Sequence, residues 1–522
     1  MDRILFSGNE AIARGAYEAG VKVCSAYPGT PSTEVFEALP QYRDSLYCEW
    51  APNEKVATEV AYGASLAGVR SLCAMKHVGV NVAADPIFTA AYNGVGGGFV
   101  IVSADDPSMH SSQNEQDNRH YARAAKLAMV EPSDSQECLD FMREAYRISE
   151  QFDIPVLFRT TTRVAHSKSI VTFGEREEQE ARPYARNTRK NIASPANAFL
   201  NHPKLEKTLE ALEAYGCTSP LNRMELNGTK VGVISASIAY EYAKDAFPAD
   251  TSFLKLGLTN PLPMELIRSF AEKVDKLYVI EELDDFMESQ IRAAGIACEG
   301  KNLTGKLYEL NPQLLKERIF GQKAETVDVG VSAVSRPPAL CPGCPHRGFF
   351  YTMSRHKDFV ISGDIGCYTL GALPPLSSVD TSLCMGASIG MAFGMEKARG
   401  KEFSRRAVAV IGDSTFLHSG VTPLIDACYN GGTITVLILD NRITGMTGHQ
   451  ENPASGFNIH GEPAPALDLQ ALCRACGAAS VRTVDPFDVK AFDAALEEEL
   501  AREAVSVLIV RRPCVLLKGE RK

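Results

Sequence analysis

The sequence predicts an α/β protein built on parallel sheets, and three observations support this fold class. Short apolar runs alternate with helix-like segments over residues 21–158, over residues 231–282 and again over residues 407–439. Such alternation is typical of βαβ units, whose strands are parallel. The hydrophobic fraction of 45% allows a large buried core, and the length suggests roughly three domains.

Residues 407–450 form the clearest of these units. The apolar runs 407–411 and 434–439 predict buried strands, and 421–429 between them has the apolar spacing of a helix. Crossovers of this kind join parallel neighbours, so Asp413 and Asn441 should emerge at the same carboxyl edge of the sheet. Open α/β sheets bind their ligands at that edge.

Acids and amides in a turn at such an edge suit a magnesium ion held against phosphates, because they offer hard oxygen ligands and free backbone N–H groups. The segments GDS (412–414) and DN (440–441), with twenty-five residues between them, resemble the thiamine diphosphate motif, in which GDG is followed by NN. The resemblance implies that Asp413, Asn441 and the backbone carbonyl of Ile443 hold Mg²⁺ on the diphosphate.

Two positions depart from the general motif. Ser414 stands where the motif has its second glycine, and Asp440 stands where it has its first asparagine. On this stretch alone, an ordinary βαβ unit with an acidic loop is the alternative.

Composition argues against several classes of protein. The net charge of −10 is spread along the chain with no long basic run, so nothing points to a nucleic acid or to an anionic membrane. No apolar run is long enough to span a bilayer, and the start of the sequence lacks a secretory hydrophobic core. We therefore expect a cytoplasmic protein. Its fourteen cysteines then indicate buried thiols or metal ligands and not a disulfide framework.

The alternation divides the chain into three predicted domains. Residues 1–180 form a first α/β domain, 230–325 a second and 336–522 a third, while the charged segment 181–229 reads as a linker. The acid run at 281–285, which follows an apolar strand, is predicted to be a solvated strand end.

A thiamine cofactor also needs a carboxylic acid on its aminopyrimidine ring, so that the exocyclic amine can act as a base. Glu54 fits this need, because it precedes a helix-like segment rich in small residues at 55–68. Glu59 and, less well, Glu49 compete for the role. For any glutamate at a helix start, a capping or dipole-favouring role is the alternative.

Stretches in the first and third predicted domains carry a wider resemblance. They are YPGTPSTE (27–34), NEKVATEVAYGASLAG (53–68), MKHVGVNVAADP (75–86), SSQNEQD (111–117), CPGCPHR (341–347), GDIGCYTLGALPP (363–375), CMGASIGMAFG (384–394) and the GDS, DN and MTG segments. With them the whole chain resembles the alpha (large) subunits of the indolepyruvate:ferredoxin oxidoreductase family, in the 2-oxoacid:ferredoxin oxidoreductase superfamily.

This resemblance implies a thiamine diphosphate-binding fold. Residues 1–180 would be the pyrimidine-binding domain, 230–325 a transketolase C-terminal-like domain, and 336–522 the diphosphate-binding domain. No C-terminal ferredoxin domain is expected, although the family's alpha subunits usually have one; either the sequence is shortened or a separate protein takes the electrons.

The resemblance also implies roles for individual residues. Glu54 would activate the cofactor, Thr30 would face the substrate, and Lys76 and His77 would lie near the substrate carboxylate. The residues implied to contact the cofactor are Gly366, Cys367, Gly412, Asp413, Ser414, Asn441, Ile443, Thr447 and Gly448.

The cysteines fall into groups. Cys341, Cys344, Cys367 and Cys514 match the order of the superfamily's proximal [4Fe-4S] cluster ligands, although four cysteines alone would suit zinc equally well. Cys473 and Cys476 lie in a predicted amphipathic helix at 467–478, where core packing is expected. The other eight are predicted to be small buried hydrophobic residues: Cys24, Cys48, Cys73, Cys138, Cys217, Cys298, Cys384 and Cys428.

The activity implied by the resemblance is oxidative decarboxylation of a 2-oxoacid, an arylpyruvate such as indolepyruvate, with coenzyme A. Electrons would pass through the cluster to ferredoxin or another low-potential carrier. A beta (small) subunit is the expected partner, in a hetero-oligomer. The alternatives are a non-oxidative thiamine decarboxylase or synthase, and a non-catalytic scaffold that binds the cofactor.

Overall fold

The computed structural model describes residues 3–325, 327 and 329–517. The chain forms two compact units, Met1–Val329 and Gly330–Lys522. The outer ends of the predicted first and third domains, residues 1–2 and 518–522, lie outside the described residues, and so do residues 326 and 328. Across the described ranges, no helix has both the length and the apolar character that crossing a membrane would require.

The first unit contains strands from three sheets. They are β1 (Arg3–Ser7), β2 (Val23–Ala26), β3 (Tyr47–Trp50), β4 (Ser71–Lys76), β5 (Phe99–Asp105), β6 (Ala128–Val130), β7 (Val156–Thr161), β8 (Lys168–Thr172), β9 (Arg223–Glu225), β10 (Val231–Ala236), β11 (Ser252–Leu256), β12 (Leu258–Asn260) and β13 (Lys276–Ile280).

Helices connect most of these strands. They are α1 (Gly8–Glu18), α2 (Thr33–Ala38), α3 (Glu54–Leu66), α4 (His77–Asn93), α5 (Arg119–Ala125), α6 (Ser135–Phe152), α7 (Thr162–His166), α8 (Thr188–Asn191), α9 (Pro195–Gly216), α10 (Ser237–Ala246), α11 (Met264–Ala271), α12 (Phe286–Ala293), α13 (Lys301–Thr304) and α14 (Pro312–Phe320), with short 3₁₀ turns at Leu39–Tyr42 and Pro107–Met109.

The largest sheet has seven strands in the order β12-β6-β7-β5-β4-β2-β3, all parallel except for β12. Its strands are almost wholly buried, as expected for a parallel sheet covered on both faces. Since β2, β3, β4 and β5 are neighbours, the segments that follow them meet at one carboxyl edge. Thr30 and Glu54 lie in these segments, Lys76 is the last residue of β4, and His77 begins the helix after it.

The second sheet of this unit has four strands in the order β13-β10-β11-β9. The third is a two-stranded antiparallel sheet of β1 and β8. Strand β9 and helix α9 both lie in the segment that was predicted to be a linker. Strand β12 follows β11 in the chain but joins the seven-stranded sheet. The first and second predicted domains therefore contribute strands to the same sheet.

The acid run at 281–285 corrects a prediction from the sequence. Glu281 and Glu282 are buried, with 2% and 6% of their surface exposed, so the interpretation as a solvated strand end was wrong for these two residues, whereas Asp284 and Asp285 are partly exposed. The reason is a partner that lies far away in the chain: Nη1 of Arg119 lies 2.5 Å from Oε2 of Glu281, and Nη2 of Arg119 donates to the backbone oxygen of Glu282 at 2.7 Å. A buried guanidinium compensates for part of the cost of burying these charges.

The second unit has one sheet and its covering helices. The elements are β14 (Val360–Ser362), β15 (Ala407–Gly412), β16 (Thr435–Asp440), β17 (Ser480–Val484), β18 (Ser506–Arg511), α15 (Pro345–Met353), α16 (Ala387–Arg399), α17 (Lys401–Ser404), α18 (Asp413–Thr415), α19 (Val421–Tyr429), α20 (Leu469–Ala475) and α21 (Val489–Leu500), with a 3₁₀ turn at Cys367–Ala372 and a π-helical turn at Phe416–Gly420.

This sheet is parallel throughout, in the order β14-β15-β16-β18-β17. The predicted unit of strand, helix and strand over residues 407–439 is confirmed as β15, α19 and β16. Alternate residues of β15 enter separate hydrophobic clusters on the two faces, Val408 and Val410 on one and Ala409 and Ile411 on the other. Buried on both faces, the strands hold their carboxyl ends rigidly, and Asp413 and Asn441 follow two adjacent strands.

Candidate active-site residues in each unit

Glu54 opens helix α3 at the carboxyl edge of the first sheet, and its side chain is buried. The capping role belongs to Asn53, whose side-chain oxygen accepts from the N–H of Val56 at 2.9 Å. The Glu54 carboxylate lies against Gly79 in the first turn of α4, where a Cβ would stand only 2.7 Å from Oε1. A glycine at 79 therefore makes room for the carboxylate.

The two competing glutamates occupy different environments. Glu59 is exposed and pairs with Lys55 one helical turn earlier. Glu49 accepts hydrogen bonds from Ser25 Oγ at 2.8 Å and from the Tyr47 hydroxyl at 2.6 Å. Of the three, only Glu54 combines burial with a position at the carboxyl edge opposite α4.

Thr30 and Lys76 come together through Ser111. Nζ of Lys76 donates to the backbone oxygen of Ser111 at 2.9 Å, and the Ser111 hydroxyl lies 3.4 Å from the backbone oxygen of Thr30. The aliphatic part of Lys76 packs on Gly29. Burial lowers the pKa of Lys76, while the nearby carboxylates of Asp106 and Glu54 act in the opposite direction.

His77 is fully buried at the start of α4. Its Nε2 atom lies 3.1 Å from the backbone oxygen of Asn114, and because a carbonyl only accepts, Nε2 carries the proton. Burial and the neighbouring Lys76 charge lower the pKa of His77 to about 4. The imidazole is therefore neutral at pH 7.

The loop after β5 supplies residues that sequence reasoning did not single out. The Asp106 carboxylate accepts from the N–H of Ser111 at 2.9 Å, from Ser112 Oγ at 2.7 Å and from Thr162 Oγ1 at 2.7 Å. Asn118 donates to the backbone oxygen of His77 at 3.1 Å. The available signal was the density of polar residues between 105 and 118, which indicates a functional loop but not its anchors.

Asp413, in the second unit, is 2% exposed and follows β15. Its Oδ1 accepts from the N–H of Ser414 at 2.8 Å, whereas Oδ2 has no hydrogen-bonding partner in the described part of the chain. Burial and the neighbouring Asp440 carboxylate raise the pKa of Asp413. A buried carboxylate oxygen without a partner is what a bound cation would satisfy, so the site fits Mg²⁺.

Asn441 follows β16 and is oriented by its own turn. Its Oδ1 accepts from the N–H of Ile443 at 3.1 Å, and Arg442 between them has a φ of 65°. The turn brings the side-chain amide of Asn441 and the backbone of Ile443 close together. These are two of the three groups predicted to hold the metal.

The two departures from the thiamine motif have structural partners. The Ser414 hydroxyl, in place of a glycine, accepts from Thr444 Oγ1 at 2.9 Å and so joins the GDS segment to the loop after β16. Asp440, in place of an asparagine, accepts from Arg511 Nε at 2.6 Å. Arg511 belongs to β18, the strand next to β16.

The loop that follows contains the predicted Thr447 and Gly448. Thr447 Oγ1 donates to Gln450 Oε1 at 2.5 Å, and Gln450 Nε2 returns a bond to the backbone oxygen of Thr447 at 2.9 Å. Gly448 has a φ of 125°, a conformation that L side chains rarely adopt. The loop is thus closed on itself beside the turn that is predicted to bind the metal.

The predicted Gly366 and Cys367 lie at the start of a 3₁₀ turn in the same unit. Tyr368 packs its ring on Gly412, where a Cβ would stand 2.7 Å from the ring. The Cys367 thiol lies over Gly445, where a Cβ would stand 3.1 Å from Sγ. The 366–368 segment therefore touches both loops of the predicted metal site.

The segments that carry the four cysteines of the predicted cluster lie near one another. A Cβ at Gly343, between Cys341 and Cys344, would stand 3.4 Å from the side chain of Val515, which follows Cys514. Cys344 belongs to a hydrophobic cluster against which Cys367 packs. Burial raises the pKa of Cys367 to about 11, and the thiols of Cys344, Cys514 and Cys341 add to this rise. Cys344 is buried and Cys341 is exposed. This set of thiols suits a metal centre that opens to one side of the unit.

The remaining cysteines follow the predictions in part. Cys473 is buried in the core, which confirms packing as its role. Cys384 is exposed, so its predicted burial was wrong; it lies in the turn before α16, beside the exposed Leu383, and not on the helix's buried face. Four of the other seven are buried, namely Cys24, Cys48, Cys73 and Cys138.

Two family models match the chain, one in each of the two compact units. Residues 14–214 match "Pyruvate flavodoxin/ferredoxin oxidoreductase, thiamine diP-bdg", and residues 364–510 match "Thiamine pyrophosphate enzyme, C-terminal TPP binding domain". The indolepyruvate oxidoreductase subunit IorA of Archaeoglobus fulgidus is 42% identical over 546 residues, which cover 99% of this chain and 87% of that protein.

This chain belongs to the IorA family of oxidoreductase subunits. The family and the thiamine diphosphate-binding fold predicted from the sequence are thereby confirmed. IorA of Methanothermobacter marburgensis gives a similar match, 42% identical over 99% of this chain and 88% of that protein.

A solved structure agrees at the level of the fold. It is the 2-oxoglutarate:ferredoxin oxidoreductase from Magnetococcus marinus, determined with 2-oxoglutarate, coenzyme A and succinyl-CoA bound. The TM-score is 0.52 at 19% identity, and the match covers 61% of this chain and 65% of that one.

Proposed function

We propose that this chain is the catalytic alpha subunit of an enzyme that oxidatively decarboxylates an arylpyruvate, such as indolepyruvate, with coenzyme A. The products are the acyl-CoA, CO₂, one proton and two molecules of a reduced one-electron carrier of the ferredoxin type. The observation that carries this proposal is that the segments with the four cysteines lie near one another in the unit that also holds Asp413 and Asn441. A non-oxidative thiamine enzyme has no use for a redox centre beside its diphosphate site.

Residues of the second unit would hold the cofactor's diphosphate. Asp413 Oδ2, the side-chain oxygen of Asn441 and the carbonyl of Ile443 would bind Mg²⁺, which in turn binds the diphosphate. Among the described residues Oδ2 of Asp413 has no hydrogen-bonding partner, which supports this role. Cys341, Cys344, Cys367 and Cys514 would hold a [4Fe-4S] cluster.

Residues of the first unit would act on the aminopyrimidine ring and on the substrate. Glu54 would hydrogen-bond the ring nitrogen and so let the exocyclic amine remove a proton. When bound, thiamine diphosphate supplies the nucleophilic carbon and the electron sink for decarboxylation. Lys76 would attract the substrate carboxylate and Thr30 would face the substrate; the contacts of Ser111 with Lys76 Nζ and with the backbone oxygen of Thr30 support their proximity.

The neutral state of His77 supports a donor role. Its Nε2–H is held by the Asn114 carbonyl, and its lowered pKa keeps a second positive charge away from Lys76 at pH 7. His77 would therefore fix the loop that contains Asn114 without adding charge to the site.

The names of the relatives support the substrate and the partner. IorA proteins are described as subunits of an indolepyruvate oxidoreductase, which supports an arylpyruvate substrate and a second, beta subunit in a hetero-oligomer. The coenzyme A and ferredoxin in the description of the Magnetococcus marinus enzyme support those two co-substrates.

The test is an assay of the anaerobically purified chain together with its beta subunit. Reduction of a low-potential dye should require both indolepyruvate and coenzyme A. Release of CO₂ without dye reduction would instead identify a non-oxidative decarboxylase. Iron and acid-labile sulfide analysis should give four of each per chain; stoichiometric zinc would overturn the cluster.

A further inference from the structure

His346 links the four-cysteine site to the predicted metal-binding turn. It follows Cys344 and Pro345 at the start of α15 and is 3% exposed. Burial raises the pKa of the Cys344 thiol, and a hydrogen bond from the backbone N–H of His346 lowers it. In the side chain of His346, Nε2 lies 3.5 Å from Nδ2 of Asn441.

The chemistry of the two side chains fixes the direction of this contact. The Nδ2 group of an amide only donates, so Nε2 of His346 accepts and the proton sits on Nδ1. The contact holds Nδ2 of Asn441 toward α15. Oδ1 of Asn441, on the other side of the amide, then faces the Ile443 turn, where the metal would bind.

Two more of the cysteine segments touch the same turn. The backbone N–H of Cys514 donates to the backbone oxygen of Asn441 at 2.9 Å, and Cys367 packs over Gly445. The residue after Cys367, Tyr368, sets its ring edge-on to His346 with centroids 5.9 Å apart. Three cysteine-bearing segments thus determine where the loop after β16 lies.

We propose that His346 is a positioning residue that couples the two cofactor sites through Asn441, so that a filled cysteine site strengthens the binding of Mg²⁺ and thiamine diphosphate. This inference rests on the proposed function, because it needs both groups to bind. Metal ligation by Cys341 and Cys344 would fix the start of α15, and through His346 it would hold the Asn441 amide in its metal-binding orientation.

The decisive experiment measures Mg²⁺-dependent thiamine diphosphate affinity by calorimetry on the anaerobic complex with its beta subunit, before and after iron is removed with a chelator. In the unaltered protein, removal of iron should weaken the affinity about fivefold or more. An unchanged affinity overturns the coupling while leaving the proposed function intact. A protein that binds neither iron nor thiamine diphosphate overturns both.

Variants then test the role of His346. His346→Ala should lower the affinity of the iron-loaded protein for thiamine diphosphate. The ratio of the affinities measured with and without iron should then be close to one. In His346→Gln, the side-chain oxygen can accept from Asn441, so this variant should recover most of the ratio.

His356→Ala is the matched control, since His356 follows the same helix but contacts Asp493 at 2.6 Å, and it should keep the full ratio. If His346→Ala lowers the affinity equally in both iron states, His346 is only structural and the proposal is wrong. The iron-removal measurement on the unaltered protein decides the question even if His346→Ala does not fold.

Discussion

The carboxylate of Glu54 rests on Gly79, and a methyl group at residue 79 would stand 2.7 Å from Oε1. Glu54 opens α3 and Gly79 lies in the first turn of α4, so the contact fixes the acid between two helix starts. Because the obstructed atoms are the mobile end of a side chain, a larger residue at 79 would move the carboxylate without breaking the helix.

Gly79→Ala should therefore reduce turnover by about tenfold or more through displacement of Glu54, because misplacement of a catalytic group by about 1 Å can cost two orders of magnitude. Circular dichroism and the melting temperature should stay close to those of the unaltered protein. Gly63→Ala, on α3 with open space around the residue, is the matched control and should keep full activity. Equal rates for the two variants would contradict the proposed position of the acid.

Glu54→Gln should abolish dye reduction while leaving cofactor binding within severalfold of normal. The amide keeps the shape of the side chain but cannot act as the acid that the aminopyrimidine ring requires. Steady-state rates with an arylpyruvate, together with calorimetric binding of thiamine diphosphate, measure both effects. Glu59→Gln is the control, since Glu59 is exposed and pairs with Lys55. Normal turnover in Glu54→Gln would remove Glu54 from its proposed role.

Much of the second unit could be predicted because its signals are local. Apolar runs of strand length, a helix between them and polar residues at their ends define β15, α19 and β16, and handedness then puts Asp413 and Asn441 at one edge. In the first unit, the helix-like segment that follows Glu54 was likewise readable from the sequence, whereas Thr30 and Lys76 were singled out only by the family resemblance.

Contacts between segments that are distant in the chain could not be predicted from local sequence patterns. The burial of Glu281 depends on Arg119, 162 residues earlier in the chain, and no local pattern reports that pairing. The insertion of β12 into the first sheet has the same origin. His346 was quoted within the CPGCPHR motif, but its contact with Asn441, 95 residues later, required coordinates.

Asp413→Asn should have opposite effects on stability and on binding. In the absence of metal, the carboxylate is buried beside Asp440 with one oxygen that lacks a partner, so removal of its charge should raise the melting temperature of the apoprotein. Affinity for Mg²⁺ and thiamine diphosphate should fall together, because the metal loses a charged ligand. Thermal melts without metal and calorimetry with metal measure the two effects.

The control for this variant is Asp426→Asn, on the exposed face of α19, where the carboxylate accepts from Asn430 Nδ2 at 2.8 Å. It should change neither quantity appreciably. An Asp413→Asn protein that melts lower without metal, or that binds the cofactor as tightly as before, would be incompatible with the clamp.

Glu282 should make the first unit less stable as the pH rises through neutrality. Burial raises the pKa of Glu282 to about 7 in the folded protein. An acid whose pKa is higher folded than unfolded stabilises the fold at pH values below its unfolded pKa, near 4.3, and that contribution is lost as the pH rises to and beyond 7. The loss should be on the order of 3 kcal/mol, at roughly 1.4 kcal/mol per pKa unit.

Glu282→Gln isolates this effect, because the glutamine oxygen can still accept the hydrogen bond that Leu310 N–H now gives to Glu282 Oε1 at 3.0 Å. Urea denaturation of both proteins at pH 5 and at pH 8 gives the comparison. The difference in unfolding free energy between the two proteins should shift in favour of the variant at pH 8. A difference that does not change with pH would mean that Glu282 already ionises normally in the folded protein, with its charge compensated by the nearby Arg159 and Lys301.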